Sequence, residues 1–197
     1  YANDGVTGVV KGPLDAGRRY TAATANQNFG YVGGGQTPGV ISSVDRVDYS
    51  NDMTIALPKG PLDGIRYRHA ATGNANFGYF NGGQPGSPYK STVDRIDYSN
   101  DTVTATPKGS ALHTAASFLT ATGNADFGYF DSAGESLVTQ RIDYSNDTQQ
   151  ALQKANLRAT LSQRVTTGSS LFGYFGGGLG GPQSSQIDRL DYNNDTT

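Results

Sequence analysis

Three tyrosines with basic neighbours carry the clearest binding chemistry in this sequence. Tyr20 follows Arg19, Tyr67 precedes Arg68, and Tyr89 precedes Lys90. Aromatic faces stack on the apolar sides of sugar rings, and long polar side chains hydrogen-bond to hydroxyl groups. Ordinary surface packing is the alternative interpretation. The full set of candidate ligand-binding residues is Arg19, Tyr20, Gln36, Tyr67, Arg68, Tyr89, Lys90 and Glu135.

Support for catalysis is weak. The chain has two histidines, His69 and His113, and no Gly-x-Ser-x-Gly nucleophile turn. A glycosidase would need two carboxylates that converge in a cleft. Glu135 is the only glutamate in the chain and reads as a solvated loop charge. We predict a non-enzymatic protein, with a polysaccharide-degrading depolymerase as an alternative.

The sequence predicts neither a metal site nor a cofactor. Cysteine is absent, which excludes thiolate ligands and disulfides. No EF-hand loop is present, and the glycine runs 33–35 and 176–178 are not followed by the Gly-Lys-Ser/Thr of a phosphate loop. The formal net charge of −2 without a basic patch argues against nucleic acid. No apolar run reaches the roughly 20 residues that membrane insertion needs.

A repeat must position these residues. Phe-Gly-Tyr triplets begin at Phe29, Phe77, Phe127 and Phe172, and Tyr-x-Asn-Asp turns begin at Tyr1, Tyr49, Tyr98, Tyr144 and Tyr192. The turn tyrosines are 48, 49, 46 and 48 residues apart. A fixed period of this size predicts one structural unit used repeatedly, each unit burying its face against the next.

Each repeat reads as four short strands. In the second repeat these are 69–74, 76–80, 91–98 and 102–106, joined by glycine and Asn-Asp turns. We therefore predict an all-β propeller in one repeat domain over 1–197, with four blades of four antiparallel strands. The blades are expected at about 18–60, 66–109, 113–154 and 158–197, with 5–12 added to the last.

Ring closure has two interpretations. The segment Val6–Lys11 corresponds to the fourth strand of a repeat, whereas the chain ends after a third strand, so an N-terminal strand could complete the last blade. The turns at Tyr1 and Tyr192 are two copies of one feature, however, and the chain begins within a repeat without a methionine. An open four-repeat excerpt of a larger propeller is the alternative.

Asp-Arg pairs recur in the third strand of most repeats, with Gln140 replacing the aspartate once. Because blade faces pack on their neighbours, we expect these charges to make structural contacts between blades. The residues are Asp45, Arg46, Asp94, Arg95, Arg141, Asp188 and Arg189.

The repeat resembles the kelch repeat of β-propellers. The resemblance rests on glycine doublets after an aromatic strand, as in 31–35, 79–83 and 174–178, and on Arg18, Arg66 and Arg158 before the next innermost strand. The chain has no tryptophan, which kelch repeats usually carry on the fourth strand. The strings 91–102 and 59–62 are similar to repeats in tail-fibre-like proteins of marine cyanophages. That resemblance implies a protein of the virion surface, hence extracellular, with a host-recognition role.

Variation between the repeats falls on one face. The Gly-Asn and Ser-Asn-Asp turns are nearly uniform, whereas the loops 33–43, 82–91, 131–138 and 176–185 and the linkers between repeats differ. Variable loops on a rigid scaffold are a common place for binding. The leading hypothesis is therefore recognition of a host surface glycan or protein through this face. A structural spacer that contacts other virion fibre subunits is the second hypothesis.

Overall fold

A computed structural model describes residues 8–108, 113 and 115–197. The first Tyr-x-Asn-Asp turn, residues 5–7 of the expected closing strand and most of the linker 110–114 lie outside the described residues. The strands are β1 Ala22–Ala25, β2 Phe29–Gly33, β3 Val44–Asp48, β4 Leu57–Lys59, β5 Ala70–Gly73, β6 Phe77–Asn81, β7 Val93–Asp97, β8 Thr106–Lys108, β9 Ala121–Gly123, β10 Phe127–Phe130, β11 Val138–Asp143, β12 Leu152–Asn156, β13 Val165–Gly168, β14 Phe172–Gly176 and β15 Ile187–Asp191.

The strands form four antiparallel sheets in chain order, β1–β4, β5–β8, β9–β12 and β13–β15. These sheets are the blades of a four-bladed β-propeller, which confirms the predicted all-β architecture. We number them blade 1 to blade 4 along the chain. The innermost strands β1, β5, β9 and β13 pack against one another in that order. In the part of the chain that the structure describes, no helix is long and apolar enough to cross a membrane.

The uniform turns are held by the aspartate that ends each third strand. Asp97 accepts hydrogen bonds from the backbone N–H and the hydroxyl of Ser99 at 2.9 and 2.6 Å. These contacts begin the short 3₁₀ turn Tyr98–Asn100. Hydrogen bonds from Ser99 lower the pKa of Asp97. Because a charged acceptor strengthens such bonds, the turn is rigid and suits a scaffold.

The hydrophobic core lies between the blades. Blade 1 contributes Tyr31 and Val44 to one cluster, and blade 2 contributes Phe80, Ile96 and Tyr98. The same pattern recurs between blades 2 and 3 and between blades 3 and 4. A single blade therefore buries its apolar residues only against a neighbour, as expected for a repeat protein.

A carboxylate at each interface collects three donors from the preceding blade. Between blades 1 and 2, Tyr31, Arg46 and Lys59 all contact Asp101, at 3.0, 2.8 and 3.2 Å. The contact repeats at the next two interfaces: Tyr79, Arg95 and Lys108 on Asp147, and Tyr129, Arg141 and Lys154 on Asp195. Arg46, Arg95 and Arg141 therefore do cross between blades, whereas Arg189 of the last blade contacts no carboxylate among the described residues.

The aspartates of the same strands do not cross, which corrects the expectation for Asp45, Asp94 and Asp188. They pair inside their own blade, with Arg18, Arg66 and Arg164. The physical reason is strand alternation, because adjacent residues point to opposite faces of a sheet. In blade 4 the guanidinium comes from Arg164, whereas Arg158, which the kelch resemblance aligns with Arg18 and Arg66, reaches Asp188 through its backbone N–H.

Blade 3 lacks both members of this ion pair. Gln140 stands in place of the aspartate and accepts a hydrogen bond from the backbone N–H of His113. Ala116 stands where blade 2 has Arg66, and it is fully buried. Because both charges are lost together, neither of them is left buried without its partner.

The N-terminal segment contacts blade 1 in the way that the fourth strand of a preceding blade would. Blade 4 nevertheless has three strands. Lys11 pairs with Asp52 at 3.1 Å, and Gly12 N–H donates to the backbone oxygen of Asp52. Gly60 contacts Asp101 in the same way. Val9 and Val10 are 72% and 87% exposed and belong to no strand, so the closed ring stays a prediction.

Candidate binding site at the start of the innermost strands

A shallow cavity of about 280 Å³ lies where the innermost strands begin. We call it the mouth site. All four blades contribute to it through the residues just before or at the start of their first strand. Its lining consists of Tyr20, Thr21, Arg68, His69, Phe118, Leu119, Gln163 and Arg164.

Each blade places one residue of the mouth site in the left-handed backbone region. The φ angles are 59° at Tyr20, 56° at Arg68, 60° at Phe118 and 57° at Gln163. This conformation is unusual for residues other than glycine, and all four of these residues have large side chains. The backbone is therefore constant at this position, while the residue type changes in every repeat.

Backbone hydrogen bonds between blades explain the conformation. Arg68 N–H donates to the carbonyl oxygen of Tyr20 at 3.0 Å, and Phe118 N–H donates to that of Arg68 at 2.7 Å. The left-handed turn aims these groups at the next blade. Because the backbone is fixed by these contacts, each side chain can vary without loss of the scaffold.

The side chain of Arg68 is surrounded by aromatic rings. Its guanidinium carbon lies 4.8 Å from the ring centre of Tyr20, 4.9 Å from that of Tyr67 and 4.1 Å from that of Phe118. The rings of Tyr20 and Phe118 meet edge to face with centres 6.4 Å apart. Such contacts favour one orientation of the guanidinium.

Two glutamines from the loops after the second strands support the basic residues. Arg19 Nε donates to Gln36 Oε1 at 3.3 Å, and Arg68 Nη1 donates to Gln84 Oε1 at 3.4 Å. Backbone bridges join the same segments, at Arg19 with Gln36 and at Tyr67 with Gln84. The two sets of variable loops thus meet beside the mouth site.

The mouth site is positively charged. Its lining contains no Asp or Glu, and the charge of Arg164 is balanced by Asp188 at 3.0 Å. Burial lowers the pKa of His69 to about 3, with a further contribution from the charge of Arg66, so this imidazole is neutral at pH 7. Arg68 forms no ion pair among the described residues and remains available to an anionic group.

The structure gathers five of the eight candidate ligand-binding residues and leaves three apart. Tyr20 and Arg68 line the mouth site, Arg19 and Tyr67 contact the ring of Tyr20, and Gln36 is one step further out, hydrogen-bonded to Arg19. Tyr89, Lys90 and Glu135 are not part of that lining. Tyr89 is 41% exposed and Glu135 is exposed, while Lys90 donates its backbone N–H to Gly83.

Sequence reasoning missed Gln84, Phe118 and Gln163. Aligning the repeats on their glycine runs would have found Gln84, since it follows 82–83 as Gln36 follows 33–35. Phe118 and Gln163 carry no comparable signal, because the residues beside them do not match those beside Tyr20 and Arg68. Only the shared left-handed φ angle identifies them as equivalent to Tyr20 and Arg68.

The two histidines do not form a joint site. His69 is a buried member of the mouth-site lining and packs on Phe80 with ring centres 6.0 Å apart. His113 is exposed and lies at a different position of its repeat. Its backbone N–H donates to the side chain of Gln140, as the backbone N–H of Asp63 donates to Asp94. Within residues 8–108, 113 and 115–197, no group of three or more His, Asp or Glu side chains is placed to hold a metal ion.

No protein-family model and no curated protein sequence matches this chain.

Proposed function

We propose that this chain is a non-enzymatic recognition module that binds an acidic glycan of a host cell surface at the mouth site. The observation that carries the proposal is the guanidinium of Arg68, held between the rings of Tyr20, Tyr67 and Phe118 without a carboxylate partner among the described residues. The rings offer stacking faces for sugars, and the guanidinium offers paired donors for a carboxylate or sulfate group.

Differences between the repeats support a binding role for this position. The four blades place Tyr, Arg, Phe and Gln on an otherwise constant backbone. A ring of different side chains around one cavity can contact different parts of an asymmetric ligand. Gln36 and Gln84 hold the basic side chains and present amide groups near the same ligand.

The virion assignment is also part of the proposal. It rests on the resemblance of the repeat to tail-fibre-like proteins of cyanophages and to kelch propellers. It implies an extracellular location on the virion, with other fibre subunits as further partners. A role as a structural spacer is the second candidate. It is favoured by the two end faces of the array, which are described in the next subsection.

Binding of the folded chain to an array of neutral and acidic glycans, and to candidate host cells, tests the proposal. We expect selective retention on acidic glycans, which Arg68→Ala reduces about tenfold or more. Arg158→Ala is the matched control, since Arg158 is an exposed arginine outside the cavity lining. The circular dichroism spectrum and melting temperature of each variant establish that it is folded.

Three outcomes would contradict the proposal. Equal binding by the Arg68 and Arg158 variants would remove the mouth site from recognition. Absence of binding by a folded chain would favour the spacer. Release of soluble oligosaccharides from the bound glycan would point to a depolymerase.

A further inference from the structure

The first and last blades each present one face that an interior blade would cover. We call the face that a blade turns to the next blade its forward face, and the face that receives the previous blade its backward face. Three forward-to-backward interfaces are described, between blades 1 and 2, 2 and 3, and 3 and 4. The contacts at these three interfaces show which contacts are missing at the two open faces.

The forward face of blade 4 is an apolar and basic surface without a partner. Ile187 is 68% exposed, whereas Val44 and Val93 at the equivalent position are fully buried. Tyr174 and Arg189 occupy the positions of Tyr31 and Arg46, with the same antiparallel pairing to each other. Neither of them contacts a carboxylate among the described residues.

The backward face of blade 1 is the complementary surface. Tyr49 is 50% exposed, although Tyr98 and Tyr144 at the same position are only 9% and 7% exposed. A largely apolar cavity of about 380 Å³ lies here, lined by residues that include Gly30, Val32, Val47 and Tyr49. Phe80 and Ile96 are the equivalents of Val32 and Val47 in blade 2, and the interface with blade 1 buries them.

The acidic acceptor of this face is only partly used. Asp52 contacts Lys11 at 3.1 Å, while the equivalent Asp101 receives a tyrosine, an arginine and a lysine. The missing donors are a phenol and a guanidinium. Those are the groups that Tyr174 and Arg189 carry on the forward face of blade 4.

A threonine and a glycine provide the steric match. At the interface of blades 1 and 2, Thr24 lies 2.8 Å from the hydroxyl of Tyr98, and its methyl group fills the space above Gly78. Thr167 is the equivalent threonine of blade 4, paired with Tyr174 as Thr24 is paired with Tyr31. Gly30 and Tyr49 form the corresponding empty socket on blade 1.

We propose that the forward face of blade 4 docks on the backward face of blade 1 in a second copy of this chain. Tyr174 and Arg189 then contact Asp52 of the other copy, and Thr167 enters the socket at Gly30. A second copy is the occupant because the described residues leave both faces of one chain uncovered, and the two faces are complementary in charge and shape. The contact is head-to-tail, so it leads to rings or filaments rather than to a two-fold dimer.

Sedimentation velocity over a wide range of protein concentration tests the proposal. We expect concentration-dependent association that Arg189→Glu and Asp52→Ala each weaken at least about tenfold. Mixing these two variants restores one contact, between Asp52 of the first and Arg189 of the second, provided that each retains its other face. The mixture must therefore stop at one-to-one dimers. Val103→Lys is the matched control, since Val103 is 52% exposed and lies on blade 2, away from both end faces.

A disulfide trap distinguishes a second copy from closure within one chain. The chain has no cysteine, so the pair Thr167→Cys and Gly30→Cys introduces the only two thiols, and peptide mapping shows whether the disulfide joins position 167 to position 30. The pair Thr24→Cys and Gly78→Cys serves as the geometric control, because it places the same two residues across an existing interface. Covalent dimers and higher multimers are expected from the first pair. A monomer with an internal disulfide, or a monomer at every concentration, would overturn the proposal.

Discussion

The phenol of Tyr31 donates a hydrogen bond to Asp101 Oδ2 at 3.0 Å, from the centre of one blade to the turn of the next. Arg46 and Lys59 converge on the same carboxylate. Burial and the bond to Asp101 raise the pKa of Tyr31. Burial acts to raise the pKa of Asp101, but the bonds from Tyr31, Lys59 and Arg46 outweigh it and lower that pKa.

Asp101→Asn is expected to destabilise the chain far more than Asp52→Asn. Asp101 is 6% exposed with three donors, so its loss leaves buried groups unpaired and costs roughly 2–4 kcal/mol. Among the described residues, the carboxylate of Asp52 pairs only with the partly exposed Lys11, and its loss costs less than about 1 kcal/mol. Urea unfolding of both variants measures the difference.

The same pair of variants has a predicted pH dependence. The lowered pKa of Asp101 means that its contribution is present above the unfolded-state value and is lost as the pH falls through the folded-state value. The difference in unfolding free energy between the two variants should therefore become smaller at acid pH, below about 4. A gap that stays constant from pH 7 to pH 2.5 would contradict the charge-based explanation.

The ion pair of Arg66 and Asp94 should be replaceable as a unit but not singly. Both side chains are fully buried, and burial lowers the pKa of Arg66 and raises that of Asp94. Arg66→Ala leaves a buried carboxylate and should cost about 3–5 kcal/mol. The double variant Arg66→Ala with Asp94→Gln copies Ala116 and Gln140 of blade 3, so it should recover a large part of that loss. A double-mutant cycle by chemical unfolding gives the coupling energy, and simple additivity would refute the prediction.

Asp131 should make the chain less stable as the pH rises from about 4 to about 7. Burial raises the pKa of this carboxyl to about 7, so the folded state holds a proton that the unfolded state has already lost in that window. The effect is at most roughly 4 kcal/mol. Asp131→Asn should remove this slope, since Asn81 already occupies the equivalent buried position in blade 2. Melting temperatures of the unsubstituted chain and of Asp131→Asn, measured between pH 4 and pH 7, test this prediction. Melting temperatures that change equally with pH in the two proteins would contradict it.

Glycines at equivalent positions should differ in their tolerance of a methyl group. A Cβ at Gly78 would lie 2.5 Å from the methyl carbon of Thr24 and 2.7 Å from the hydroxyl of Tyr98, inside a packed interface. Gly78→Ala should therefore cost about 1–3 kcal/mol. At Gly30 the near contact is the end of the exposed Tyr49 side chain, which can move, so Gly30→Ala should be close to neutral in the isolated chain. Melting temperatures of the two variants provide the comparison.

The period of the sequence was enough to predict the blades, because strand length and turn chemistry are local properties. The Phe-Gly-Tyr triplets do form the second strands, and the Asn-Asp turns do follow the third. The partners of the charged residues were harder to predict. Asp45 and Arg46 are neighbours in sequence, but they point to opposite sides of the sheet and meet residues of different blades.

Only part of the mouth site could be predicted from the sequence, for a related reason. Tyr20 and Arg68 stand next to other aromatic and basic residues and so drew notice. Phe118 and Gln163 look unremarkable in sequence, and only the convergence of the blades brings them to the same cavity. Tyr89 and Lys90 have the same local composition as Tyr67 and Arg68, yet their loop leaves them outside the lining.

Because the donors of every blade point one way along the chain and the acceptors point the other, the array has a direction, like a polymer with distinct ends. Blades 1 to 3 can follow one another in any order, since at the three described interfaces Tyr, Arg and Lys meet the turn aspartate of the next blade. A whole blade could thus be inserted, deleted or exchanged by recombination with every junction still satisfied. The mouth would then acquire or lose one side chain at a time, and the repertoire of surfaces would grow by the shuffling of blades rather than by the redesign of any one of them.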